Sequence, residues 1–113
     1  FIKNYLKGEK LQIFGDGAQT RDLLYVEDCA DFIARAAYSE KAIGQIINAG
    51  TGRDITINEL VKLICPFPEK IEHVKHHHPQ SEISKLQCDN SRAKELIDWK
   101  PRTSLKEGIF PHV

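Results

Sequence analysis

Between residues 13 and 22 the chain reads IFGDGAQTRD: an apolar run, then Gly15 and Gly17 with one residue between them. No other stretch decides so much about the fold. A glycine pair straight after a strand either opens the phosphate loop of a doubly wound sheet or turns the chain back on itself. The phosphate loop needs G-x-G-x-x-G with a helix directly behind it, because the helix N-terminus holds the pyrophosphate and the third glycine allows close helix–strand packing. Here the third position is Thr20, and the residues after it, Arg21-Asp22-Leu23-Leu24-Tyr25-Val26, are rich in β-formers. The stretch therefore predicts a hairpin: Leu11 to Phe14 as one strand, Asp16-Gly17 as the turn and Leu23 to Val26 as the second strand. No dinucleotide cofactor is expected at this loop.

The remaining signals alternate between helix and strand, so the fold class is α/β. Phe1, Ile2, Tyr5 and Leu6 share a helical face that ends near Gly8. Val26, Cys29, Ala30, Ile33, Ala34 and Ala37 recur every three to four residues. They predict an amphipathic helix from Glu27 to Tyr38, with Asp31 and Arg35 on its wet side and acidic residues at its N-terminus. Gln45 to Asn48 reads as a short strand. Thr56 and Glu59 form a capping box and Ile55 with Leu60 a hydrophobic staple, starting a helix over Ile57 to Cys65 with Leu60, Val61 and Ile64 inward. Prolines stop it. Ile71 to Lys75 alternates like a strand, Ser84 to Asp89 is a short extended piece, and Asp89 or Ser91 caps a helix from Arg92 to Asp98. Ser104 and Glu107 make a second capping box. The chain starts within a helix-like phrase and stops soon after a helix start, so it reads as a fragment of a longer polypeptide.

Composition narrows the function classes. The chain has 113 residues, room for one domain, and is 41% hydrophobic and 28% charged, as soluble globular proteins are. A formal net charge of zero argues against a nucleic-acid partner. No apolar run is long enough to span a membrane, and no secretory leader is expected. Cys29, Cys65 and Cys88 are odd in number and widely spaced, and read as reduced, buried thiols of a cytoplasmic protein.

Three phrases, LQIFGDGAQTRDLLYVEDCADFIARAA, INAGTGRDITINELVKLI and DNSRAKELIDWKPRTSLKEGI, stand in this order. Together they resemble the C-terminal, substrate-binding part of NAD-dependent epimerases and dehydratases acting on nucleotide sugars. These are extended short-chain dehydrogenase/reductases such as UDP-glucose 4-epimerase, an isomerase, and dTDP-glucose 4,6-dehydratase, a lyase of carbohydrate metabolism. The resemblance covers nearly the whole chain. It implies a small α/β substrate-binding subdomain over residues 1–113, a nucleotide-diphosphate sugar as ligand, and NAD in the full-length parent.

By the same resemblance, Arg21 matches the arginine that contacts the substrate diphosphate, and a guanidinium suits phosphate because it gives two parallel hydrogen bonds and keeps its charge. Read without the resemblance, Arg21 is equally well a surface residue paired with Asp22 or Asp28. Leu11, Gln12 and Phe14 fall in the segment that borders the nucleobase, with Phe14 equally well a stacking face or a core residue and the Gln12 backbone reading the base edge; Ile13 is core. Asn48 opens the phrase NAGTG and is either a substrate contact or a strand-end turn residue, with Gly50 and Gly52 reversing the chain. Asp89 and Ser91 cap a helix, and Trp99 packs against it. Many family members carry an arginine before the DNSRAKEL helix that grips the diphosphate or ribose. Here His78 or Pro79 takes its place, and a half-charged His78 binds phosphate more weakly near neutral pH. The run His76-His77-His78 invites a metal, but neighbours in a strand point to opposite faces and cannot chelate one ion without a bend.

The family's Tyr-x-x-x-Lys pair is absent: Tyr5, Tyr25 and Tyr38 are followed four residues on by Glu9, Cys29 and Ala42. No catalytic, cofactor-binding or metal-binding residue is assigned, and the chain alone is expected to be silent. Its expected partners are the missing N-terminal Rossmann domain and, through the apolar face that domain leaves exposed, a second copy of itself. A stand-alone binding module that kept the fold and lost the chemistry is the alternative.

Overall fold

The computed structural model describes residues 1–112. Five α-helices and four short strands alternate along the described chain. They are α1 (Ile2–Leu6), β1 (Leu11–Phe14), β2 (Thr20–Arg21), α2 (Val26–Tyr38), β3 (Ile55–Thr56), α3 (Ile57–Ile64), β4 (Ile71–Val74), α4 (Ser91–Ile97) and α5 (Leu105–Ile109), with single 3₁₀ turns between several of them. The predicted α/β class and most boundaries match to within a residue or two. None of the described helices is long and apolar enough to cross a membrane.

The hairpin is not there. β1 pairs with β4 in parallel, Leu11 opposite Ile71 and Phe14 opposite Val74. β2 pairs antiparallel with β3, Arg21 opposite Ile55, and on its other side Thr20 bridges Lys85. The turn chemistry was legible but its destination was not. Gly15 and Gly17 do take positive φ, 78° and 74°, and the Asp16 carboxylate accepts from Ala18 N at 2.9 Å. The loop then leans on α3: Asn58 Nδ2 donates to Asp16 O at 2.9 Å and Asn58 N to Gly17 O at 3.0 Å. A Cβ on Gly17 would sit 2.1 Å from Asn58 Oδ1. Leu23 to Tyr25 form no strand; they lead into α2, and Leu24 packs on the cluster around Trp99.

The interior divides into two small clusters. One joins Leu11 and Ile13 of β1 to Leu60, Val61, Ile64 and Cys65 of α3 and its end, with Ile109 of α5. The predicted Thr56–Glu59 capping box is formed on both sides, and Ile55 packs on this cluster with Leu60. The other cluster joins Ala93, Ile97 and Trp99 to Phe32 and Ala36 of α2, with the Phe32 and Trp99 rings edge-on at 5.1 Å.

Four further expectations need correction. In α2 the helix is as predicted but its facing is not: Val26, Ala30, Ile33, Ala34 and Ala37 are exposed, while Phe32 and Ala36 take the inward side. Residues 45–48 form no ladder among the described residues; Ile47 packs on the Trp99 cluster and Ile46 is 82% exposed. The N-cap of α4 is Asn90, which makes no side-chain cap bond; Asp89 Oδ1 instead accepts from Ser91 N at 3.0 Å. Of the cysteines, only Cys65 is fully buried, and Cys29 and Cys88 are partly so.

Candidate functional site

Arg21 lies where β2, β3 and the 82–86 segment meet. Its Nη1 donates to Thr20 O at 2.6 Å and to Ile83 O at 2.7 Å, and its Nη2 pairs with Glu82 Oε1 at 2.5 Å. The side chain is 27% exposed. Its acidic partner is thus Glu82, and neither Asp22 nor Asp28 takes the role considered from sequence. Asp22 is occupied by Thr51, Gly52 and Cys88, and Asp28 by the backbone N–H groups of Arg102 and Thr103.

The second oxygen of Glu82 meets His76 Nε2 at 2.8 Å. The backbone N–H of His78 donates to His76 Nδ1 at 2.9 Å. Nδ1 therefore accepts, and the proton sits on Nε2, directed at Glu82. The hydrogen bond from His76 and the Arg21 charge hold the Glu82 carboxyl below its usual range, against the upward push of burial. Sequence reasoning missed both His76 and Glu82. They lie 55 and 61 residues beyond Arg21 with no local pattern linking them.

Glu82 and His76 line a cleft of about 390 Å³ together with Phe14, Asp16 and Gln19. Phe14 is 47% exposed, with the His76 and His77 rings at 6.5 and 6.0 Å from its own. Gln19 Nε2 donates to Phe14 O at 3.2 Å. Gly15 N donates to Val74 O of β4, so strand alternation turns the backbone of Gln12 and Phe14 toward the open edge of β1. The Gln12 side chain reaches across the strand pair to Glu72 at 3.0 Å. The Leu11 side chain is fully buried in the core. His78 is exposed beside Pro79, which lines the cleft. Asn48 is exposed and stands apart from the cleft lining. Among the described residues no group of three or more His, Cys, Asp or Glu side chains is arranged to hold a metal ion.

The Gly15–Gly17 loop does not fit a dinucleotide. No helix opens behind it, and the space a phosphate would need against Gly17 is filled by Asn58. The glycines of NAGTG have their own causes. Gly52 has φ 78°. Gly50 is a close approach, where a Cβ would lie 2.3 Å from Cys88 Cβ.

Comparison with known proteins agrees with the α/β fold. A family described as GDP-mannose 4,6 dehydratase matches residues 1–110. A UDP-glucose 4-epimerase of Mycolicibacterium smegmatis is 34% identical over 110 residues, 96% of this chain and 35% of that protein. The X-ray structure of Pal from Bacillus thuringiensis superposes with a TM-score of 0.93 at 57% identity, over 96% of this chain and 35% of that one. A Bacillus cereus UDP-glucuronic acid 4-epimerase, solved in complex with UDP-glucuronic acid and NAD, gives a TM-score of 0.84 at 32% identity over the same shares, 96% and 35%. The chain thus spans about a third of the length of the proteins it matches. With a family match along nearly its whole length and an α/β fold that overlays a third of such enzymes, the chain belongs to the NAD-dependent nucleotide-sugar epimerases and dehydratases.

Proposed function

We propose that this chain is the nucleotide-sugar-binding portion of an NAD-dependent epimerase or dehydratase. It holds the nucleotide diphosphate while another portion of such an enzyme performs hydride and proton transfer. The observation that carries this reading is the state of Arg21. A guanidinium has five N–H donors. Thr20, Ile83 and Glu82 take three of them, leaving the Nε donor and one on Nη2 for an anion. Two charged donors on one guanidinium can grip a phosphate bidentately.

The neighbourhood suits the rest of a nucleotide. Phe14 offers a half-exposed ring, and the open edge of β1 offers the N–H and C=O of Gln12 to a base edge. Leu11 contributes only by setting β1 in the core, and His78 stands at the cleft margin. Asn48 is tied to this ligand by resemblance alone. No residue of this chain supplies the proton-transferring pair, so we assign the isolated chain no activity of its own.

The outward apolar face of α2 and the unladdered segment around Ile46 are the surfaces on which a Rossmann portion would pack. In its absence a second copy of the chain would meet them.

The test is calorimetric titration with UDP, dTDP and GDP. Binding of one of them in the micromolar range, weakened more than about tenfold by Arg21→Ala through loss of charged hydrogen bonds, is the expected result. An absence of binding by all three nucleotides would sink the reading.

A further inference from the structure

Arg21 does not itself line the cleft; Glu82 and His76 do. The order of bonds is strict: His78 N–H to His76 Nδ1, His76 Nε2–H to Glu82 Oε2, and Arg21 Nη2–H to Glu82 Oε1. Both neighbours of Glu82 are donors. His76 cannot reverse its role, because the His78 N–H occupies Nδ1 and fixes the tautomer. Residue 82 must therefore accept at both of its oxygens, which a carboxylate does and an amide does not. Together with the carbonyls of Thr20 and Ile83, that carboxylate leaves the guanidinium no freedom to rotate.

We propose that Glu82, oriented by a neutral His76, is a positioning residue for Arg21: it fixes the plane of the guanidinium so that its two unclaimed donors meet the phosphate groups of the ligand. The inference rests on the nucleotide-binding reading above and adds to it what aims the arginine. The positioning helps affinity because a donor held in place loses little freedom on binding. The opposite possibility is that Glu82 competes with phosphate for Arg21, and the two ideas predict opposite signs.

The experiment is titration of UDP into the full chain and four variants, with a melting curve for each. Arg21→Ala is the control for the reading itself. Glu82→Gln keeps the size but sets an amide N–H₂ against the His76 or Arg21 donors. His76→Phe removes the donor to Glu82, and His76→Gln restores a neutral one. The expected result is about tenfold weaker UDP binding in Glu82→Gln and His76→Phe, the scale seen when an outer partner of a ligating group is lost. His76→Gln should bind nearly as the parent does. That rescue separates positioning from a merely structural role, and it stands even if Glu82→Gln folds poorly. Unchanged or tighter binding in both Glu82→Gln and His76→Phe would overturn the inference, the tighter case showing that the carboxylate competes with phosphate. If the parent chain fails to bind UDP, or Arg21→Ala binds as well as it does, the nucleotide reading has failed and the inference falls with it.

Discussion

Asp22 shows how much of this fold hangs on one carboxylate. Its Oδ1 accepts from Thr51 N at 2.9 Å and Thr51 Oγ1 at 2.6 Å, and its Oδ2 from Gly52 N at 2.9 Å and Cys88 N at 3.1 Å. Three segments distant in sequence are tied at the residue next to Arg21. Burial alone raises the Asp22 pKa, but these hydrogen bonds, led by the Thr51 side chain, outweigh it and the net direction is down. A folded pKa below the unfolded one means that the contribution is present above the ordinary aspartate range. It is lost as pH falls through the depressed folded value. Asp22→Asn leaves one accepting oxygen and turns an N–H₂ toward backbone donors. It should cost about 2–3 kcal/mol, or roughly 10 °C in Tm for a chain of this size. Melting curves at neutral and acid pH check both parts: the variant should melt lower at neutral pH, and the gap should narrow in acid. Burial first, and then the charges of Asp22 and Asp89, push the Cys88 thiol up. It should therefore react slowly with thiol reagents at neutral pH.

At the scale of elements, α4 ends on a residue poorly chosen for its conformation. Asp98 is the C-cap, with φ 48° and ψ 41°, in the left-handed region that favours glycine. Asp98→Gly should stabilise by about 0.5–1 kcal/mol, read as a higher urea midpoint with unchanged slope. The opposite case is Gly17→Ala, where positive φ and the 2.1 Å approach to Asn58 act together. It should cost about 1–3 kcal/mol and detach the loop from α3. Elements were legible wherever the cause is local. Both capping boxes, Thr56–Glu59 and Ser104–Glu107, are four-residue patterns and both form. The hairpin failed because β1 chooses a partner 60 residues away, whose alternating pattern carries no register with it. α2 was legible as a helix, but Phe32 and Ala36 turn inward to meet Trp99, which no feature of the helix itself announces. The phosphate role proposed for Arg21 came only through resemblance. Its clamp of Glu82 and His76 was hidden, because that clamp is a product of the Thr20–Lys85 bridge rather than of any spacing.

The whole molecule is a thin slab, 51 × 34 × 17 Å, with a radius of gyration of 16.6 Å, where a compact domain of this length would have about 13 Å. Its accessible surface is 7898 Å², against roughly 6,300 Å² expected for a folded monomer of this mass. The excess is about twice the roughly 800 Å² that a standard interface takes from each partner. The location of the excess is visible on α2. Val26 is 70% exposed, Ile33 59% and Tyr38 93%, and Ile43 and Ile46 beyond the helix are 77% and 82% exposed. Val26, Ala30, Ile33 and Ala37 follow helical spacing, so they form one continuous apolar stripe. Phe32, Trp99 and Ile97 support the helix from the other side, so changes on the outward stripe should not unfold it. The chain in isolation should therefore self-associate with rising concentration, and Ile33→Lys combined with Ile46→Lys should hold it monomeric with little change in Tm. Sedimentation equilibrium across a hundredfold concentration range reads the difference directly. A parent chain that stays monomeric throughout would show that the stripe does not drive association. A double variant that loses its fold would place Ile33 and Ile46 in the core despite their exposure.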